Sequence, residues 1–205
     1  MKKMRLISLL ALLSIASAPA FARGAIEGKL GLGSVKAASD KAGFDAGLAY
    51  AIRLERFFAI VPELNFNWLS YDNQLGTVGT SGLAGSQSVS SSFYTFPVLL
   101  NGRLYIPMGT DDTPYVQPII NVGAGYGWSE YSATVGGVSS KASLSGFMYQ
   151  ASVGVLVNLG MIADGSASST NLMLEAGYRG GSLATGGVNF DWGGYLIRAG
   201  VNFAL

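Results

Sequence analysis

The distribution of charge along the chain constrains its fold more than any other feature. After residue 22 the sequence reads as eight segments of alternating character, and one of the two alternating phases contains no charged residue. Because successive side chains of a β-strand point to opposite faces, the pattern predicts eight strands, each with one apolar face. The segments are Ile26 to Leu32, Phe44 to Leu54, Phe58 to Trp68, Tyr94 to Ile106, Val116 to Trp128, Phe147 to Leu159, Leu172 to Tyr178 and Tyr195 to Leu205.

The second phase of the same segments holds nine charged residues. They are Glu27, Lys29, Asp45, Arg53, Glu63, Arg103, Glu175, Arg179 and Arg198. If this phase faces the interior of a narrow barrel, four acids and five bases nearly cancel there. Unpaired buried charge is costly, so we expect these side chains to form one paired, hydrogen-bonded cluster that fills the lumen.

The apolar phase could face outward into lipid, or inward around a ligand as in a soluble carrier. Only 12% of the residues are charged, whereas a water-facing exterior would carry many more Lys and Glu. In a bilayer every backbone polar group must be paired, which strands achieve only in a closed sheet. The sequence therefore predicts an all-β protein, an eight-stranded antiparallel up-and-down transmembrane β-barrel with a mostly plugged lumen. Pro62, Pro97 and Pro118 lie within predicted strands, where we expect bulges or early strand ends.

The first 22 residues have the features of a cleaved signal peptide. Lys2, Lys3 and Arg5 precede an apolar run from Leu6 to Ile15, and a small residue stands on each side of Phe21. We therefore expect residues 1–22 to be removed and residues 23–205 to form a single barrel domain. The remaining ten basic and twelve acidic residues form no basic surface, which argues against a nucleic-acid partner.

The connections between the segments are alternately long and short. The long ones span roughly residues 33–43, 69–93, 129–146 and 179–194, and with both termini in the periplasm they would be surface loops, with Ser70 to Ser92 mobile. Near their level we expect an outer aromatic girdle of Trp68, Tyr94, Tyr126, Trp128, Tyr149, Trp192 and Tyr195. Its inner counterpart would be Phe57, Phe58, Tyr105 and Phe203.

Four stretches resemble the small eight-stranded outer-membrane barrels of the OmpX, OmpW and OmpA-transmembrane type and the broad outer-membrane protein β-barrel domain family. They are Phe96 to Arg103, Pro114 to Gly127, Leu174 to Arg179, and the C-terminal pattern of Arg198, Gly200, Phe203 and Leu205. The last is similar to the insertion signal of such proteins, although it ends in Leu rather than the commoner Phe. The resemblance implies export through the periplasm with chaperones, insertion by the barrel assembly machinery and a place among the lipids of the bacterial outer membrane.

The composition gives no support for an enzyme. The chain has no His and no Cys, so it lacks the usual general base, the thiolate nucleophile and most transition-metal ligand sets. We expect no cofactor or metal, and a structural ion-pair role for Glu63 and Glu175. Two functions remain open. One is a structural or surface-interaction role in which the loops bind an extracellular ligand; the other is a narrow porin-like channel or conduit for small or hydrophobic solutes.

Overall fold

The computed structural model describes residues 24–36, 41–75, 87–108, 114–135, 138–163, 168–185 and 188–205. The predicted signal peptide, residues 1–22, lies outside these described residues. No helix in the described ranges has the length and apolar character needed to cross a membrane.

Eight strands form the barrel, as predicted. They are β1 (Gly24–Val35), β2 (Lys41–Glu55), β3 (Phe58–Leu75), β4 (Gln87–Tyr105), β5 (Val116–Val135), β6 (Val138–Asn158), β7 (Thr170–Thr185) and β8 (Val188–Ala204), with a short helix α1 (Leu159–Ala163) between β6 and β7. Each strand pairs antiparallel with its neighbour in the chain, and β8 pairs with β1 to close the sheet. The all-β, eight-stranded, antiparallel up-and-down architecture is therefore confirmed.

The strands reach farther than the alternation of apolar residues predicted. β3 to β6 contain 18 to 21 residues each, well beyond the 9 to 11 that cross a bilayer. The predicted surface loop at 129–146 is mostly strand, since β5 and β6 pair as far as Val135 opposite Val138. The prediction of a loop from Ser70 to Ser92 is likewise wrong at both ends, where Leu75 pairs with Gln87; residues 76–86 lie outside the described part. Ser- and Thr-rich strands lack the apolar outer phase on which the prediction depended.

The prolines do not shift the register of the sheet. Pro62 stands opposite Leu100, Pro97 opposite Gly127 and Pro118 opposite Val155. The ladders lose residue pairs on one side of Pro62 and Pro97, yet the pairing resumes in the same register. Among the described strand pairs, the one register irregularity lies between Arg53 and Glu55, so the expectation of bulges at the prolines is wrong.

The exterior carries a continuous apolar band. On β4 and the residue that follows it, the exposed outward residues are Tyr94, Phe96, Val98, Leu100, Leu104 and Ile106, whereas Thr95, Leu99, Asn101 and Arg103 between them are buried. At about 3.3 Å per residue and a tilt of about 40°, the stretch from Tyr94 to Ile106 spans about 30 Å along the barrel axis. This height matches the hydrocarbon core of a bilayer.

The two ends of the barrel differ. Gly24, the first described residue, and the C-terminal Leu205 lie at one end, where the amide of Leu205 donates to the carbonyl of Gly24 at 2.8 Å, and we call this the terminal end. The strands of β3–β4, β5–β6 and β7–β8 meet at the opposite end, which we call the hairpin end.

Candidate functional site in the barrel lumen

Eight of the nine predicted lumen charges meet in the middle of the barrel. We call them the ionic layer: Glu27, Lys29, Asp45, Glu63, Arg103, Glu175, Arg179 and Arg198. None is more than 3% exposed, and the four acids balance the four bases. The alternation of each strand places these residues inward, and the closure of the sheet brings six strands to the same level.

The pair formed by Glu27 and Arg103 is the simplest element of this layer. The two terminal guanidinium nitrogens of Arg103 donate to the two carboxylate oxygens of Glu27, in a bidentate arrangement. Asn202 donates to the same carboxylate at 2.8 Å, and Asn121 accepts from Arg103 Nε at 2.7 Å. Both charges therefore have the partners that a buried ion pair requires.

Lys29 links three carboxylates. Its Nζ lies 3.5 Å from Glu27, 3.1 Å from Glu63 and 3.4 Å from Glu175. Three carboxylates around one ammonium group would repel one another, so Glu63 and Glu175 need a further base. That base is Arg198, whose two terminal nitrogens reach Glu63 at 2.6 Å and Glu175 at 3.1 Å.

Arg179 completes the ionic layer toward the hairpin end. Its Nη1 donates to Asp45 at 2.7 Å, while its Nε and Nη2 donate to Gln150 and Asn65, both at 2.9 Å. Every carboxylate of the ionic layer thus contacts at least one base. In this arrangement Glu63 and Glu175 are both engaged in ion pairs with Lys29 and Arg198.

Glycines provide the space that the long side chains occupy. A Cβ on Gly47 would lie 2.9 Å from Asn65 Oδ1 and 3.3 Å from Arg198 Nη1. A larger residue at Gly47 would therefore displace the guanidinium that joins Glu63 to Glu175. The absence of a side chain here is part of the geometry of the ionic layer.

Apolar side chains cluster in the lumen on both sides of the ionic layer, a feature absent from the sequence-based expectations. The hairpin-end cluster consists of Val35, Leu69, Phe93, Leu99, Leu144, Met148, Leu183 and Trp192, with Tyr71, Tyr131 and Phe190 packed against it. The terminal-end cluster consists of Ala25, Ala49, Ala51, Ala59, Val61, Tyr105, Ile119, Leu156 and Met173. The sequence does carry a signal for these clusters, because their residues continue the inward-facing alternation of their strands.

The aromatic girdle is only partly where the sequence placed it. Trp68, Tyr94, Tyr126, Trp128, Tyr149 and Tyr195 point outward and are 38% to 72% exposed. Trp192 is 2% exposed inside the hairpin-end cluster, so its assignment to the girdle is wrong. Tyr105, 5% exposed in the lumen, is wrongly assigned for the same reason: each lies an even number of residues from an inward arginine, Arg198 or Arg103.

Arg53 does not join the ionic layer, and this prediction is also wrong. It is half-buried near the terminal end, where its Nη2 donates to Gln117 at 3.4 Å and its guanidinium lies 4.2 Å from the ring centroid of Tyr105. No carboxylate of the described residues makes an ion pair with it. The register irregularity between Arg53 and Glu55 marks this end of β2 as the place where regular pairing stops.

The C-terminal pattern lies on both faces of β8. Arg198 points into the ionic layer, while Phe203 and Leu205 are outward and 49% and 73% exposed. Gly200 packs against the backbone of Gly28 on β1. An exposed apolar end on the closing strand has the form that a recognition signal requires, and its use as one stays a prediction.

The described residues contain no group of three or more His, Cys, Asp or Glu arranged to hold a metal ion.

Only the comparison with solved structures finds similar proteins, and it identifies the fold. No family model matches the sequence, and no curated protein matches it either. Neisserial surface protein A is similar in structure, with a TM-score of 0.55 and 11% identity over 89% of this chain and 97% of that chain. A major outer membrane protein from Thermus thermophilus gives a TM-score of 0.53 and 11% identity, over 90% and 99% of the two chains.

A third similar structure is Ail, the attachment invasion locus protein of Yersinia pestis, in complex with the heparin analogue sucrose octasulfate. Its TM-score is 0.51, with 15% identity over 89% of this chain and 99% of that chain. The protein therefore has the fold of the small eight-stranded outer-membrane β-barrels, as the sequence motifs suggested. Its closer likeness to the OmpX, OmpW or OmpA type stays a prediction beyond that shared fold.

Proposed function

We propose that the protein is an integral outer-membrane barrel with a closed lumen, and that its hairpin end faces the outside of the cell and carries its function. The apolar exterior band, about 30 Å high by strand geometry, supports residence in a bilayer. The termini then lie in the periplasm, consistent with the predicted export through that compartment. The role is structural or surface-interacting and non-catalytic.

The observation that carries this proposal is the three-layer filling of the lumen. A solute passing along the axis would have to separate the matched charges of the ionic layer and displace both apolar clusters. The bidentate Glu27–Arg103 pair and the triple contact of Lys29 hold side chains across the lumen. These contacts give no support to the alternative function, a narrow channel.

The hairpin end offers a surface for a partner. Among the described residues, Ser70–Leu75 of β3 pair only with β4, and Val138–Leu144 of β6 pair only with β5. The sheet of β3 to β6 thus projects beyond its neighbours with two strand edges, one of which Lys41 partly covers by donating to the carbonyl of Asp72 at 3.2 Å. Open edges bind extended chains by strand addition, which supports a protein or peptide partner.

The charge of the hairpin end does not favour a sulfated ligand like that bound by Ail. Its described residues include three lysines and three acids: Lys36, Lys41, Asp72, Glu130, Lys141 and Asp191. A polyanion requires a concentration of positive charge, whereas these positive and negative charges are mixed and equal in number. A partner recognised through backbone and neutral polar groups fits the surface better.

Planar-bilayer recording tests the closed lumen. We expect the purified barrel to give no reproducible conductance steps under conditions in which a known porin does. Reproducible channels would contradict the closed lumen and favour the conduit. If Arg103→Ala then abolished those channels, the path would run through the ionic layer.

Cysteine labelling tests the orientation, because the natural chain has no cysteine. Ser143→Cys, exposed on β6 near the hairpin end, should react with a membrane-impermeant maleimide on intact cells. Glu55→Cys, exposed at the terminal end, should react only after permeabilisation. The opposite result would reverse the proposed orientation.

The C-terminal pattern supports assembly by the barrel assembly machinery after delivery by periplasmic chaperones. Phe203 and Leu205 are the exposed apolar members of that pattern. We expect a chain shortened before Phe203 to accumulate in the periplasm, which cell fractionation detects. Closed barrels migrate more slowly on a gel after heating, and the shortened chain should not show this shift. Normal insertion of the shortened chain would remove this support.

A further inference from the structure

A cavity of about 210 Å³ lies inside the terminal end of the barrel. One side of it is apolar, formed by Ala25, Ala51 and Leu156. The other side carries Arg53, Gln117 and a group of asparagines. The proposed surface function makes no use of this cavity.

The asparagines form a fixed polar wall. Asn158 donates to Asn171 at 3.2 Å, Asn171 donates to Asn202 at 3.1 Å, and Asn202 donates to Glu27 at 2.8 Å. The residues stand directly opposite one another on β6, β7, β8 and β1, which keeps the chain of amides in register. Asn158 also donates to the carbonyl of Ser168 at 2.8 Å and accepts from its amide at 3.0 Å, so the asparagines shape the cavity without neutralising a charge within it.

Arg53 is the one charged side chain on the cavity wall, and its positive charge is not matched there. Among the described residues its interactions are the 3.4 Å hydrogen bond to Gln117 Oε1 and the stacking on Tyr105. A guanidinium has five N–H donors, so most of them are left for another acceptor. The C-terminal carboxylate belongs to Leu205, which also lines the cavity, but it makes no ion pair with Arg53.

Two neighbouring side chains orient the guanidinium of Arg53. The ring of Tyr105, buried in the terminal-end cluster, lies under the guanidinium, and Gln117 holds one edge of it. Because Gln117 uses its side-chain oxygen for Arg53, its amide nitrogen is left as a second donor on the same wall. A planar group that accepts two hydrogen bonds side by side matches a guanidinium held in this way.

We propose that this cavity binds a small monocarboxylate, with the carboxylate on Arg53 and a short apolar body against Ala51 and Leu156. The carboxylate supplies the charge that the wall lacks, and the apolar side removes hydrocarbon from water. Two sources share this chemistry: a free short-chain acid in the periplasm, and the C-terminal carboxylate of a peptide.

Calorimetric titration of the detergent-solubilised barrel with butyrate tests the proposal. We expect saturable binding of butyrate and none of butyramide, which has the same shape without the charge. Arg53→Gln should weaken butyrate binding about 10- to 100-fold, the range for losing a charge-assisted hydrogen bond. Arg53→Lys should retain part of the affinity, since the charge stays but the bidentate geometry is lost.

Arg56→Gln is the matched control, because Arg56 lies three residues away and does not line the cavity. Its affinity for butyrate should equal that of the natural protein. Heat-dependent gel mobility verifies that each variant is a closed barrel. Absence of butyrate binding, equal binding of butyramide, or an equal loss in Arg53→Gln and Arg56→Gln would each overturn the proposal.

Acetyl-Ala-Ala with a free or an amidated C-terminus separates the two sources. If the free peptide binds more tightly than butyrate and the amidated peptide does not bind, peptide termini are the ligand class. If butyrate binds and neither peptide does, the ligand class is free acids. Either result supports the cavity as a carboxylate site, and neither depends on the function proposed for the hairpin end.

Discussion

Two regions of the same strands bury opposite kinds of side chain. We call them the wall region, which lies within the apolar band, and the extension, which is the part of the strands beyond Trp68 and Tyr94 toward the hairpin end. Within the apolar band of β4, Arg103 points inward and Leu104 points outward. Farther along the same strand, Phe93 points inward with 1% exposure, and Ser90 and Ser92 lie on the outward side. The alternation of the strand continues without a break, but the polarity of its two faces is exchanged.

Around the ionic layer the exterior is apolar; toward the hairpin end, where the exterior carries Ser, Thr and charged residues, the interior holds an apolar cluster like that of a soluble protein. On the exterior the change occurs at the level of Trp68 and Tyr94, which face each other across β3 and β4. In the lumen the hairpin-end cluster begins earlier, at Leu99 and Met148, which lie inside the apolar band. The terminal-end cluster does not follow the exchange, because Met173 is buried there behind an apolar exterior.

The largest effect on stability should come from breaking the buried ion pair of Glu27 and Arg103 in the wall region. Glu27→Leu leaves Arg103 buried without its carboxylate, and we expect the free energy of unfolding to fall by about 3–5 kcal/mol. The measurement is urea unfolding in detergent micelles, followed by heat-dependent gel mobility.

A double variant separates the charge from the packing. Glu27→Leu combined with Arg103→Met replaces both members of the pair with apolar side chains, and it should recover most of the lost stability. A double variant as unstable as Glu27→Leu alone would mean that the pair itself, rather than matched charge, maintains the wall region.

A charge placed outside the barrel tests the exchange of polarity on a single strand. Val153 is 60% exposed on the outward face of β6 within the apolar band, and Val153→Arg should cost about 2–4 kcal/mol if the band faces hydrocarbon. Ser143→Arg is the control on the same face of the same strand, opposite Glu130 in the extension. It should change stability by less than about 0.5 kcal/mol. Equal costs at the two positions would refute the boundary between the regions.

The inward and outward residues of the wall region could be predicted almost completely from the sequence. A charge on the outer face of a strand is expensive in lipid, so the charge-free phase marked that face and placed Glu63, Arg103 and Arg198 inside. Which charges pair with each other could not be predicted from the sequence, because the partners depend on the stagger of strands that are distant in the chain. Lys29, for example, contacts Glu63, which is 34 residues away.

The extension was missed because its rule is the reverse of the one that identified the wall. Its outward residues are small and polar and resemble a loop, and its inward residues are aromatic and resemble a girdle. Trp192 shows this: its even spacing from Arg198 indicates the lumen, whereas the preference of Trp for membrane interfaces favours the girdle. The inward and outward alternation of a strand continues where its surroundings change, whereas the residue types on each face change.

The apolar interior of the extension can be weakened without touching the wall. Leu183 is 1% exposed in the hairpin-end cluster, and Leu183→Ala should lower the free energy of unfolding by about 2 kcal/mol. This is the low end of the range for Leu→Ala, because the end of a hairpin relaxes around a cavity more easily than a closed core does. Urea unfolding in detergent micelles measures this loss, with Ala184→Gly on the outward face as a packing control. No change for Leu183→Ala would mean that the extension has no core of its own.

The smallest effect is expected for an ion pair of the extension exterior, which sharpens the contrast with Glu27 and Arg103. Lys36 lies 3.6 Å from Asp191, and their side chains are 65% and 77% exposed. Water screens such a pair and both side chains keep most of their freedom, so Lys36→Met should change stability by less than about 0.5 kcal/mol. Urea unfolding at low and high salt measures this directly. A loss comparable to that of Glu27→Leu would mean that the exterior of the extension is not in water, and the exchange of polarity at the girdle would then have no physical basis.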